Sequence, residues 1–172
     1  MLVRNVRPRT GDAIDILVQD GKISQTGTGL AAPDGVEAID GGGRLLFPGL
    51  IDAHTHMDKT LLGLGWYRNE VGPTLMDKIE NERALRRERG IDSHQQSSRH
   101  ARRAIADGTT HIRTFVDIDT EINLKGFEGT MHMREDFKDA LDVQIVAFPQ
   151  SGMLVRPGTV DLLEEALRQG AD

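Results

Sequence analysis

Apolar and polar positions change their rhythm near residue 47. Before it, short β-forming runs, Ile14 to Gln19 and Val36 to Ile39, are separated by turn signals at Asp20-Gly21, Gly27 to Gly29 and Pro33 to Gly35. Asp20-Gly21 between ILVQ and KIS predicts a hairpin, because Asp followed by Gly accepts positive φ at both central positions. Residues 1–47 therefore read as a small β element, too short to bury much surface by itself.

After Gly41-Gly42-Gly43 strands and helices alternate. Leu45 to Ala53 is a nearly unbroken apolar run and predicts a strand buried on both faces. Asp77 to Arg89 predicts a highly charged helix stopped by Gly90, its charges forming a solvated face and Met76, Ile79 and Leu85 turned inward. A second helix is expected from an N-cap at Asp92 to Gly108, then a strand over Thr110 to Ile118, rich in β-branched residues. Glu121 to Ala140 predicts a helix weakened by Gly126 and Gly129, each costing roughly 1 kcal/mol relative to Ala. Val143 to Phe148 reads as a buried strand. The last helix is expected over Thr159 to Gln169, capped by Thr159, with Leu162, Leu163, Ala166 and Leu167 as its stripe and Gly170 as its stop.

Such alternation implies right-handed βαβ units and a parallel sheet. Three strands after residue 47, in a stretch about half the ~250 residues of an eight-stranded barrel, leave two architectures open. One is a complete small α/β protein, the other the front portion of a larger barrel.

Composition narrows the chemistry. The 172 residues carry 21 Lys+Arg against 27 Asp+Glu, a net charge of −6, with 4% aromatics. Such a chain offers neither a phosphate-neutralising face nor a stacking platform, so no nucleic-acid partner is expected. No run approaches the ~18–20 apolar residues that span a bilayer, and MLVRNVRPRT lacks the apolar core of a signal peptide, so a cytoplasmic protein with no membrane partner is expected. Without cysteine, any metal must sit on His, Asp or Glu.

His54-Thr55-His56 ends the first apolar strand of this alternating region. Strand side chains alternate faces, so both imidazoles project to one side and can converge on a metal at ~2.0–2.1 Å. The carboxyl end of a parallel strand is also where α/β folds build their sites. Spacing alone leaves a second reading open, two structural or surface histidines. Hydrolytic zinc centres use three protein ligands plus water, so the pair does not complete one. His94, His100 and His132 read as exposed helical residues, and His111, at a strand start, stays open. Lys59, Trp66 and Tyr67 follow in a loop and read as surface packing more readily than as a pocket mouth.

FPGLIDAHTHMDKT resembles the opening strand of the amidohydrolase superfamily. THIRTFVDIDTE, LDVQIVAFPQSGML and LLEEALRQGAD narrow the resemblance to the branch containing cytosine deaminase and N-isopropylammelide amidohydrolase, over essentially all of residues 45–172. The resemblance implies an α/β fold, the N-terminal portion of a (β/α)₈ TIM barrel: a small β element in 1–47, then the first strand–helix units in 48–172. It implies that His54 and His56 hold one divalent transition metal, zinc or iron. It places Gln150 against the amide-like edge of the substrate ring, where a carboxamide presents one acceptor and two donors; a loop-capping role is the other reading of Gln150. Asp58 would orient the strand–loop junction. Phe115 stands where relatives often carry histidine, which implies a different substrate.

The remaining ligands and the acid/base residues come from later strands of that family, beyond residue 172. The implied activity is hydrolysis of a C–N bond in a small cyclic amine or amide, pyrimidine- or triazine-like, by metal-activated water, with a homo-oligomer compatible. The different-class alternative is a catalytically incomplete α/β fragment acting only through binding or assembly. In either case an isolated three-stranded sheet is expected to expose unpaired edges and to self-associate.

Overall fold

A computed structural model describes residues 1–68 and 70–172, folded as two compact units, Met1–Pro48 and Gly49–Asp172. The first unit is a four-stranded sheet in the order β3-β2-β1-β4, with β1 at Leu2–Val6, β2 at Ile14–Gln19, β3 at Lys22–Gly27 and β4 at Ala38–Asp40. The β2–β3 hairpin turns through Asp20 and Gly21 at φ 52 and 71°, the left-handed pair that an Asp-Gly turn supplies. β1, which the turn signals do not reveal, pairs antiparallel with β2 and parallel with β4. Leu2, Val6, Ile16 and Leu17 are the buried apolar residues of this sheet, with the paired Leu2 and Leu17 on one face and Ile16 on the other.

The second unit is a parallel sheet in the order β5-β6-β7, comprising β5 (Leu50–Thr55), β6 (Thr109–Asp117) and β7 (Asp142–Phe148). The helices are α1 (Leu75–Arg89), α2 (Ser93–Ala106), α3 (Lys125–Asp136) and α4 (Thr159–Arg168). Alternation divides the sheet. Ile112, Val116, Val143 and Ile145 are buried in one core with Ala101, Phe127, Met133, Leu163 and Ala166 of the helices. His111, Arg113, Asp142 and Gln144 point to the opposite, exposed face.

Several elements differ from expectation. The first strand of this unit starts at Leu50 rather than Leu45 and is not buried on both faces: Leu50 is 53% and Ile51 71% exposed. Its apolar residues serve the open side of the sheet as well as the helix side. α1 starts two residues early, where Thr74 and Asp77 form a reciprocal capping box, and Met76 is exposed rather than inward. The Glu121–Ala140 helix contracts to Lys125–Asp136, because Asp119 Oδ1 accepts the N–H groups of Glu121 (2.9 Å) and Ile122 (3.1 Å) and holds them in a turn. Gly129 survives inside α3 because a Cβ there would meet the backbone nitrogen of His94 at 2.7 Å, so glycine permits α2 and α3 to approach. Thr159 is the first residue of α4 rather than its cap, a position taken by Gly158 at φ 92°. Among the described residues no helix is long and apolar enough to cross a membrane.

Candidate active site

The pairing of β5 with β6 contains an irregularity that sets the geometry. Asp52 lies opposite Ile112 and Thr55 opposite Thr114, so three steps along β5 match two along β6. One extra residue is accommodated as a bulge. Ile112 and Thr114 both face the core, hence Asp52 and Thr55 do too, and His54 and His56 emerge together on the face that carries Phe115. The Asp52 carboxylate accepts the His54 N–H at 3.2 Å across the bulge, and Thr114 Oγ1 accepts the Met57 N–H at 3.0 Å just beyond it.

The two imidazole rings stand 5.6 Å apart, edge to face. His54 stacks on Phe115 at 4.3 Å, and Phe148 of the neighbouring strand lies edge-on to Phe115 at 6.0 Å. His56 Nδ1 donates to the Phe115 carbonyl at 2.7 Å. A carbonyl only accepts, so the proton sits on Nδ1 and Nε2 keeps its lone pair. Burial and the nearby Lys59 cation hold His56 below the ordinary imidazole range, against the opposing effect of that hydrogen bond. Neutral imidazole with a free Nε2 is the form that binds a metal. Among the described residues no group of three or more His, Asp or Glu is placed to hold a metal ion, so the chain's residues fit a pair of ligands rather than a full set.

Gln150 lies at the same carboxyl end of the sheet, two strands away, which at the usual strand spacing is roughly 10 Å. It is half-buried in a tight turn, its N–H donating to Phe148 O at 3.0 Å while Gly152 N–H donates to Pro149 O at 2.8 Å. His111 lies at the opposite end, near Asp142 at 3.8 Å. A cavity of about 340 Å³ lined by Ile51, Ala53, His111, Arg113 and Gln144 opens on the exposed face of the sheet, with neither imidazole of the pair in its lining. His94 and His132 approach each other on α2 and α3, with His94 Nε2 2.7 Å from Asp136. His100 is half-buried, not exposed, and burial holds it below the ordinary imidazole range.

Lys59 departs most from its expected place. It is not surface packing: its side chain is 7% exposed and donates to Asp117 at 2.8 Å and Glu82 at 2.9 Å. Burial disfavours its charge, but these two carboxylates outweigh that and hold it above the ordinary lysine range. Asp58, fully buried, meets Arg86 at 3.2 Å, and the same guanidinium reaches Asp117 at 3.5 Å. Burial pushes Asp58 up to about 7, against the pull of Arg86. Trp66 is 83% exposed, while the Tyr67 hydroxyl accepts a hydrogen bond from Asn81.

The charges of α1 thus do not form only a solvated face. Arg83 and Arg86 enter the protein with side chains 11% and 13% exposed. Sequence reasoning missed them, together with Asp117 and Asp119. The available signal was Val116-Asp117-Ile118-Asp119: two acids interleaved with apolar residues at the end of a buried strand demand cations from elsewhere in the fold.

The sequence profile of the amidohydrolase family matches residues 37–165, and the chain belongs to that family. Its strands and helices are the leading part of the (β/α)₈ barrel of these enzymes. The crystal structure of N-isopropylammelide isopropylaminohydrolase from Burkholderia multivorans is 48% identical with a TM-score of 0.93, covering 99% of this chain and 43% of that one. N-isopropylammelide isopropyl amidohydrolase of Pseudomonas sp. strain ADP is 34% identical over 146 residues, 79% of this chain and 35% of its own length. The 5-methylcytosine deaminase of Klebsiella pneumoniae, solved with 5-fluorocytosine, is 29% identical with a TM-score of 0.74, covering all of this chain and 42% of that one. The chain therefore spans well under half the length of these relatives.

Proposed function

We propose that the full-length protein is a metal-dependent amidohydrolase that hydrolyses a C–N bond of a cyclic, pyrimidine- or triazine-like substrate in the cytoplasm. The observation that carries this reading is the imidazole pair at the bulge, sharing one face with His56 Nε2 left free by the Phe115 carbonyl. His54 and His56 would hold the ion, zinc or iron, which when bound supplies an activated water. Phe115 and Phe148 offer apolar ring faces beside the pair, suited to the π-face or an alkyl substituent of a flat heterocycle. Gln150 supplies the carboxamide that complements a cyclic –NH–C=O edge. Relatives named for N-isopropylammelide and for 5-methylcytosine support this substrate class, since both compounds are planar nitrogen heterocycles bearing an amine.

The test is to purify the full-length protein, measure its metal content and assay N-isopropylammelide and 5-methylcytosine. Replacing His54 or His56 with Ala is expected to lower metal content and abolish hydrolysis. Stoichiometric metal in the double variant would overturn the ligand assignment. Failure to release amine or ammonia from either compound would overturn the substrate class.

A further inference from the structure

Asp119, just past the end of β6, is fully buried and uses both oxygens completely. Oδ1 accepts the N–H groups of Glu121 and Ile122, and Oδ2 accepts Arg83 Nη2 at 2.8 Å and Ser151 Oγ at 2.7 Å. Arg83 Nη2 also donates to Ser151 Oγ, closing a three-membered ring of hydrogen bonds among helix α1, the loop after β6 and the loop after β7. Directions around the ring are fixed by chemistry. Arginine only donates, the carboxylate only accepts, and the serine hydroxyl must accept from one and donate to the other. Burial pushes Asp119 up, but the hydrogen bonds from Ser151, Ile122 and Glu121 and the charge of Arg83 outweigh it and hold the carboxyl below the usual range. The group remains the anion that the ring needs.

Ser151 follows Gln150 directly. On its other side Gln150 is fixed by the turn that closes β7, with Gly152 at φ 82° completing the reversal. Gln150 is therefore gripped from both sides, by the strand and by the Arg83–Asp119–Ser151 ring. A second tie runs parallel, since Glu121 accepts from both Arg87 and Arg156, the latter at 3.1 Å from the far part of the same loop.

We infer that Arg83 is a positioning residue for Gln150, acting through Asp119 and Ser151 to fix the turn from which the carboxamide meets substrate. This rests on the proposed recognition role of Gln150. A carboxamide held in place before binding spares the ordering cost that a free turn would impose on association. The ring should therefore act on KM and leave metal content untouched.

In the full-length enzyme, with whichever of N-isopropylammelide and 5-methylcytosine it turns over as probe, Ser151→Ala is expected to raise KM roughly three- to tenfold, the worth of one lost hydrogen bond. Metal content is unchanged and Ser151→Thr restores KM. Arg83→Lys, which keeps the charge but not the planar fork, raises KM in the same direction. The double variant Gln150→Ala/Ser151→Ala should be no worse than Gln150→Ala alone, because Ser151 acts only through its neighbour. If Gln150→Ala raises KM and Ser151→Ala does not, or if the two effects multiply, the positioning role is wrong while recognition by Gln150 stands. An unchanged KM in Gln150→Ala removes the recognition role and the positioning role with it.

Discussion

Helix α4 turns Leu163 and Ala166 into the core against β7, with Leu162 packed beside them, and leaves Arg168 and Glu165 paired in solvent. Helix α1 is half as long again, yet only Ile79 and Leu85 of its fifteen residues are buried. Its hold on the unit comes from Arg83 and Arg86, which reach Asp119, Asp58 and Asp117 at the ends of the strands. One helix is attached by area and the other by charge. Apolar attachment tolerates sliding, since one methyl group replaces another at little cost. A guanidinium bridging two buried carboxylates has one geometry, and it fixes the helix in register with the strand ends that carry the candidate site.

The comparison breaks most easily at Arg86. Arg86→Ala in the full-length protein leaves Asp58 and Asp117 buried with one cation fewer, and is expected to cost about 3–5 kcal/mol by chemical denaturation. A loss below 1 kcal/mol would show that α1 is held by something other than its buried charges. Leu163→Ala should follow at about 2–3 kcal/mol, from lost transfer energy and the cavity left behind, with little change in the metal affinity of the imidazole pair. Equal loss of metal in the Arg86 and Leu163 variants would erase the distinction between the two attachments. Arg168→Ala is expected to change stability by less than about 0.5 kcal/mol, because its pair with Glu165 is exposed and a turn apart on one helix. The same substitution, arginine to alanine, would then differ several-fold in effect between the two helices.

That difference also explains what could be read in the sequence. Leu162, Leu163 and Ala166 announce the inward stripe of α4, and VQIVAF announces β7, because apolar periodicity records burial directly. The Asp92 cap of α2 and the Asp20-Gly21 hairpin were legible as local chemistry involving a few adjacent residues. Arg83 and Arg86 were not, because a charged residue is ordinarily solvated and its buried partner lies 28 to 36 positions away. Leu50 and Ile51 misled for the converse reason: an apolar run says that residues avoid water, not which element covers them. At the candidate site the shared side of His54 and His56 follows from alternation. That this side is also the side of Phe115 does not, since it depends on a residue count in a neighbouring strand.

The bulge in β5 makes the site a matter of parity. Before it, even-numbered side chains point toward the helices, as Asp52 does; after it, even-numbered His54 and His56 point the other way. Straightening the bulge with every residue retained would leave composition and strand length intact, yet would exchange the two faces for everything downstream in the strand. Both imidazoles would then aim at the apolar core, and Thr55 would occupy the open face. A frame of two applies to this strand as a frame of three applies to a gene, and a slip of one residue in its pairing changes which face every later side chain occupies.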